Sequence, residues 1–136
     1  VSRILVKLRV PARRPALLAV LELIVALNRL WLRERRTARR GVPISIYQAG
    51  VRYKREARDP ATGMRREDWR TYPEILEHGS GDCEDLATAR VAELRERGIN
   101  AKPWLMKNGR MWHVQVMLPD GTVEDPSAAM GMRGSA

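Results

Sequence analysis

The run Gly79-Ser80-Gly81-Asp82-Cys83-Glu84-Asp85-Leu86-Ala87 decides the fold, because it opens a helix on a cysteine. Asp82 suits the N-cap, where a carboxylate accepts from otherwise unpaired backbone N–H groups, and Asp85 stands three residues on at the capping-box spacing. Gly98 marks the end of that helix. Between them Cys83, Leu86, Ala87, Val91 and Leu94 recur at helical spacing, so the thiol heads the stripe that packs into the core. Residues 101–106 and 111–118 then read as strands, and Pro119-Asp120-Gly121 turns the chain into a third. A helix followed by an antiparallel sheet makes this an α+β fold.

Upstream, residues 1–10 (VSRILVKLRV) alternate polar and apolar as a strand does, without the basic cluster and apolar run of a signal peptide. A long helix follows, with Pro15 in its first turn. Its Leu17, Leu18, Leu21, Ile24, Val25 and Leu27 cover most of the circumference, which fits burial on several sides or a shared partner surface. The helix is expected to run into Arg33, Arg35, Arg36, Arg39 and Arg40, cations that suit the negative end of its dipole, and to stop at Gly41. Glu22, Asn28 and Arg29 interrupt its apolar stretch, so no membrane span is expected. Pro43, Gly50, Pro60, Gly63 and Pro73 punctuate the next segment, where 59–63 reads as an exposed loop and no other element is assigned.

The whole chain of 136 residues, 44% hydrophobic and 30% charged, suits a single domain over 1–136. One cysteine excludes a disulfide scaffold and any four-cysteine zinc site, and fits a reducing compartment, the cytoplasm. The net charge of +9 divides into +12 over residues 1–70 and −3 over 71–136. That Arg-rich half is expected to attract a polyanion or an acidic protein partner. Without Phe, and with no aromatics interleaved among the arginines, it makes a poor base-stacking surface.

Chemistry is sought first at Cys83. A lone cysteine commonly behaves as a small buried hydrophobe. Here the thiol stands in the first turn of a helix, where the dipole favours thiolate, and Gly79 and Gly81 leave room for a substrate beside it. Asp82, Glu84 and Asp85 work against the thiolate, so a cationic partner is required. His113 is the better of the two histidines: alternation sends Trp112, Val114, Val116 and Leu118 to the core face and His113, Gln115 and Met117 to the other. His78, five residues before Cys83, reads as a loop histidine. Asp125, before Pro126, completes a Cys, His, Asp order.

Asp68-Trp69-Arg70-Thr71-Tyr72-Pro73-Glu74 and the Gly-Asp-Cys-Glu-Asp run at 81–85 resemble the nucleophile region of bacterial transglutaminase-like cysteine peptidases. Trp112-His113-Val114 and Asp125-Pro126-Ser127 are similar to the histidine and aspartate motifs of the wider transglutaminase-like superfamily. The resemblance spans about residues 68–132, leaving 1–67 as a basic strand and helix portion. It implies a papain-like core in which Cys83, His113 and Asp125 form a catalytic triad acting on a protein or peptide substrate through a thioester. The backbone N–H of Cys83 and the side chain of Gln48 are the expected oxyanion donors. Acids beside the cysteine bind calcium in some such peptidases, which points to Asp82 and Glu84, although calcium prefers six or more oxygens. Hydrolysis of a peptide or amide bond is the favoured outcome. Transamidation, and a virion or nucleoprotein-associated protein binding through the Arg-rich half, are the alternatives.

Turn geometry decides whether Asp125 can serve. A two-residue loop would pair Val116 with Asp125 and turn the carboxylate to the core. Pro119 instead suits the second position of a type I turn, with Gly121 left-handed in a bulge. Leu118 then pairs with Thr122, Gln115 falls opposite Asp125, and the carboxylate lies diagonally beside His113.

Overall fold

A computed structural model describes residues 6–37, 45–55, 68–109 and 111–132. Helix α1 (Arg14–Thr37) carries Pro15 in its first turn; Arg39, Arg40, the expected stop at Gly41 and the 59–63 loop lie outside the described residues. Helix α3 (Cys83–Glu96) begins and ends where its caps require, and packs across α1 and against β6 (Met111–Met117). Between the two helices runs α2 (Tyr72–His78), which the sequence reading did not assign. Pro73 lies in its first turn, where the missing N–H costs nothing, so a residue read as punctuation is a helix start.

Four two-residue strands tie distant segments together. β1 (Val6–Lys7) lies antiparallel to β3 (Asp68–Trp69), and β2 (Arg52–Tyr53) lies parallel to β4 (Ser80–Gly81). The main sheet is antiparallel in the order β5 (Lys102–Asn108), β6, β7 (Val123–Glu124). This is the α+β arrangement expected. Leu21 and Val25 of α1, Tyr72 and Ile75 of α2, half of α3, and Leu105, Val114 and Val116 of the sheet belong to one buried cluster.

Helix α1 is buried along one side only. Leu21, Ile24, Val25, Asn28 and Leu32 face the core, whereas Leu23 and Leu30 stay 44% and 50% exposed. By length and composition alone the helix could cross a membrane, and little of its apolar stretch is buried here. Asn28, fully buried, accepts the Tyr72 N–H at 2.7 Å, which gives the polar residue inside this apolar stretch a role in packing. The two halves of opposite charge meet across α1 and α3: Arg29 and Arg33 both hold Glu96, at 2.6 and 2.8 Å, and Arg95 holds Glu22 at 2.7 Å.

Buried polar contacts fix α3 from the side. Glu93 accepts from Ser45 Oγ, the Ile46 N–H, Tyr72 Oη and Arg90 Nη1. Ser45 starts the short 3-10 turn Ile46–Gln48, which leads into β2.

Candidate functional site

The start of α3 carries the expected capping box. Asp82 Oδ1 accepts from the Cys83 N–H at 2.7 Å, and Asp85 Oδ2 accepts from the Asp82 N–H at 3.0 Å. The second oxygen of Asp85 takes the Arg70 N–H at 3.0 Å, joining the end of β3 to the helix. Burial, and then the neighbouring Glu84 charge, push the Asp85 carboxyl well above its ordinary range.

The thiol is only 3% exposed, and Cys83 Sγ donates to Glu84 Oε2 at 3.3 Å. Burial first, then the charges of Glu84 and Asp82, push the thiol up from its usual value, while the backbone N–H of Val114 pulls the other way. The accessible, low-pKa thiolate expected from the sequence is therefore not the resting state. A helix N-terminus contributes about 0.3–2 kcal/mol toward an anion, too little to offset burial beside two carboxylates. The glycines also serve the fold. Gly79 is left-handed at φ +70° and caps α2, and a Cβ on Gly81 would meet Asp85 Cβ at 3.1 Å and Leu86 Cδ2 at 3.2 Å.

The hairpin has the three-residue bulged turn and the register that turn chemistry requires. Val116 pairs with Glu124 and Met117 with Val123, the Leu118 N–H donates to Thr122 O at 2.9 Å, and Gly121 is left-handed at φ +87°. Asp125 consequently shares a face with His113 and Gln115. His113 Nε2 lies 2.9 Å from Asp125 Oδ2, and Gln115 Nε2 donates to the same oxygen at 3.1 Å. The other oxygen, Oδ1, caps α4 (Pro126–Ala129) by accepting the Ala128 N–H at 3.2 Å. Burial works against the Asp125 charge, but these three hydrogen bonds outweigh it and hold the carboxyl below its ordinary value. An ionised carboxylate only accepts, so Nε2 is the donor in this pair and Nδ1 is the ring nitrogen that Asp125 leaves unengaged.

Val114, the residue after His113, shares the buried cluster with Cys83. Among the described residues no hydrogen bond joins Cys83 to His113; the thiol proton is directed at Glu84. His78 is elsewhere, on α2, with Nε2 3.6 Å from Glu74 Oε2.

Neither expected oxyanion donor stands ready. The Cys83 N–H is already given to Asp82, and Gln48 is exposed at the end of its 3-10 turn with no hydrogen bond to Cys83 or His113. Calcium fits poorly at Asp82 and Glu84. Their carboxylates and the Cys83 sulfur lie within 4.8 Å of one another, but Asp82 caps the helix, Glu84 accepts from the thiol, and two carboxylates fall short of the six to eight oxygens calcium takes.

One residue of the site escaped the sequence reading, and a second was placed opposite Asp125 without being given a role. Tyr53 pairs in β2 with Gly81, and its phenol hydrogen-bonds Asp82; burial and then the Asp82 and Cys83 charges push it up to about 12. Only a parallel pairing of distant segments brings it there. Gln115 was on the expected face, two residues from His113, and its spacing was the available signal. An open cleft of about 390 Å³ lies elsewhere, between α1 and the far end of α3, lined by Glu22, Val25, Arg29, Leu30, Arg33 and Arg95. Arg95 is about 18 Å along the helix from Cys83 at 1.5 Å per residue, so that cleft is separate from the thiol.

Compared with protein-family models, curated proteins and solved structures, this chain matches none. The site must therefore be read from its own chemistry.

Proposed function

We propose that the protein is a cysteine hydrolase of the transglutaminase-like type, with a papain-like core, acting on peptide or amide bonds with Cys83 as nucleophile, His113 as base and Asp125 as orienter. The observation that carries this reading is the 2.9 Å Asp125–His113 pair, held on β6 one residue from Val114, which packs in the same buried cluster as Cys83. Because the resting sulfur is a thiol, the base acts when substrate arrives. His113 Nδ1 takes the Sγ proton as the C–S bond forms and the carbonyl electron pair moves to oxygen. Collapse breaks the C–N bond, the amine leaves with the proton from His113, and a thioester remains. Water attacks the thioester with His113 again as base, releasing the acid and restoring the thiol. An amine in place of water would give transamidation. Formation of the tetrahedral state requires the Cys83 N–H or the Tyr53 hydroxyl to exchange Asp82 for the oxyanion.

The test is labelling with a peptide-like, thiol-directed electrophile, with mass spectrometry of the intact protein. Labelling of the folded protein at Cys83, absent in Cys83→Ala and slowed in His113→Ala but not in His78→Ala, is expected. Modification only after unfolding, or at equal rates with and without His113, would overturn the assignment.

A further inference from the structure

The outer face of the main sheet, which carries the His113–Asp125 pair, also carries exposed apolar side chains that packing does not explain. Met106 stands directly across from His113 and Trp104 directly across from Gln115, and they are 46% and 41% exposed. Met111 lies two residues before His113 on the same face, 38% exposed, with Arg55 Nη2 3.6 Å from its sulfur. A large aromatic and two methionines grouped in the open are the composition of a binding surface that adapts to apolar groups.

Its place relative to the reacting atoms assigns the part of the substrate it meets. β5 pairs with one edge of β6, and β7 with the other. Asp125 approaches His113 from the β7 side, whereas Met106 and Trp104 approach from the β5 side. The departing amine takes its proton from His113, so it must lie against the imidazole, and whatever is attached to its nitrogen extends over the neighbouring side chains. We propose that Trp104, Met106 and Met111 form the subsite for the amine side of the scissile bond, selecting an apolar, non-basic residue there. Arg55 at the rim sets the charge preference. This rests on the hydrolase reading of Cys83 and His113.

By microscopic reversibility the same surface selects an amine that attacks the thioester. The amine nitrogen forms the C–N bond, the C–S bond breaks, and the ammonium proton passes by way of His113 to sulfur. The experiment acylates the full chain with an N-acetylglycine methyl thioester, whose leaving group is too small to use the subsite. Capture by leucinamide, glycinamide or lysinamide is then compared with hydrolysis by mass spectrometry. Wild-type protein is expected to favour leucinamide over the other two by about tenfold, the scale on which a small apolar pocket discriminates. Trp104→Gln and Met106→Gln should each shrink that preference toward unity, while Ile99→Ala, exposed elsewhere, should keep it. Equal capture of all three amines by an acyl-enzyme that does form overturns the subsite and leaves the hydrolase reading intact. Failure of any Cys83-dependent acyl-enzyme to form overturns the hydrolase reading and the subsite with it.

Discussion

Removing the Glu93 carboxylate should unfold much of the margin by which this domain is stable. Glu93 is 5% exposed and accepts from Tyr72 Oη at 2.9 Å, the Ile46 N–H at 3.0 Å, Ser45 Oγ at 3.1 Å and Arg90 Nη1 at 2.7 Å. In Glu93→Ala, Arg90 keeps Glu124 at 2.9 Å and the Ser45 hydroxyl can rotate. Tyr72 and Ile46 cannot adjust: both are fully buried, and the Tyr72 ring is stacked on Trp31 at 5.2 Å. Each stranded donor costs about 1–3 kcal/mol. With the lost pairing to Arg90 the total is about 3–5 kcal/mol. Domains of this kind hold only about 5–15 kcal/mol, so urea unfolding should show a large drop in midpoint at unchanged slope. A cycle with Tyr72→Phe isolates the cause. In the native background, loss of the hydroxyl should destabilise by about 1 kcal/mol, and in Glu93→Ala it should be neutral or stabilising, since the stranded group is gone. A Glu93→Ala loss below about 1 kcal/mol, or additive effects in the cycle, would refute this account of the cluster.

Gly81→Ala should cost about 1–3 kcal/mol in a thermal melt, because the new Cβ meets Asp85 and Leu86 at 3.1 and 3.2 Å; an unchanged melting temperature would show that the α3 start can shift. Asp125→Ala should lower turnover by about 10²–10⁴-fold and stability by about 1 kcal/mol through the α4 cap, with Gln115→Ala intermediate in turnover; equal turnover in all three proteins contradicts the orienting role. Burial raises the Asp125 and Glu124 carboxyls, but hydrogen bonds from His113 and Gln115 to the first, and from Arg90 and Tyr47 to the second, leave both below their unfolded values. They therefore contribute stability that is present above about pH 4 and lost as pH falls through the lower folded values; the buried Asp85, shifted upward, works in the opposite sense, so the urea stability of the native chain is compared with Asp125→Asn, and its advantage should shrink from pH 5 to pH 3, whereas an advantage that grows over that window would reverse the sign. Iodoacetamide should modify unliganded Cys83 more slowly than a free cysteine at pH 8, and Glu84→Gln should speed the reaction; a rate already at its plateau below pH 7 would place a thiolate there after all.

How far the sequence disclosed this molecule depended on the range of the interaction. Cys83–Glu96 was legible because its caps, Asp82 and Asp85, lie within three residues of each other, and the β6 register because Pro119 and Gly121 fix a turn locally. The His113–Asp125 contact followed from that turn. By contrast, Val6 with Trp69 and Tyr53 with Gly81 are pairs of two-residue strands joined across long separations, and no local pattern announces them. Tyr53 was missed for that reason. The thiol was misjudged because its environment is set by burial, which depends on α2, β4 and β6 closing around it. The pairing of Arg29 and Arg33 with Glu96, on a helix more than sixty positions away, was beyond any local pattern for the same reason.

The bulged turn at 119–121 has an evolutionary consequence. Exposed loop tips are ordinarily where a protein accepts insertions and deletions at little cost. Here the length of the loop is odd, and side chains along a strand alternate, so losing a single residue would swing Asp125 to the opposite face of the sheet without touching any residue of the site. Changes of length at this tip are thus screened by their effect on His113 as well as by the stability of the hairpin. A descendant of this chain that shortened the turn by one would have to recruit a new partner for the imidazole or abandon the chemistry proposed for it.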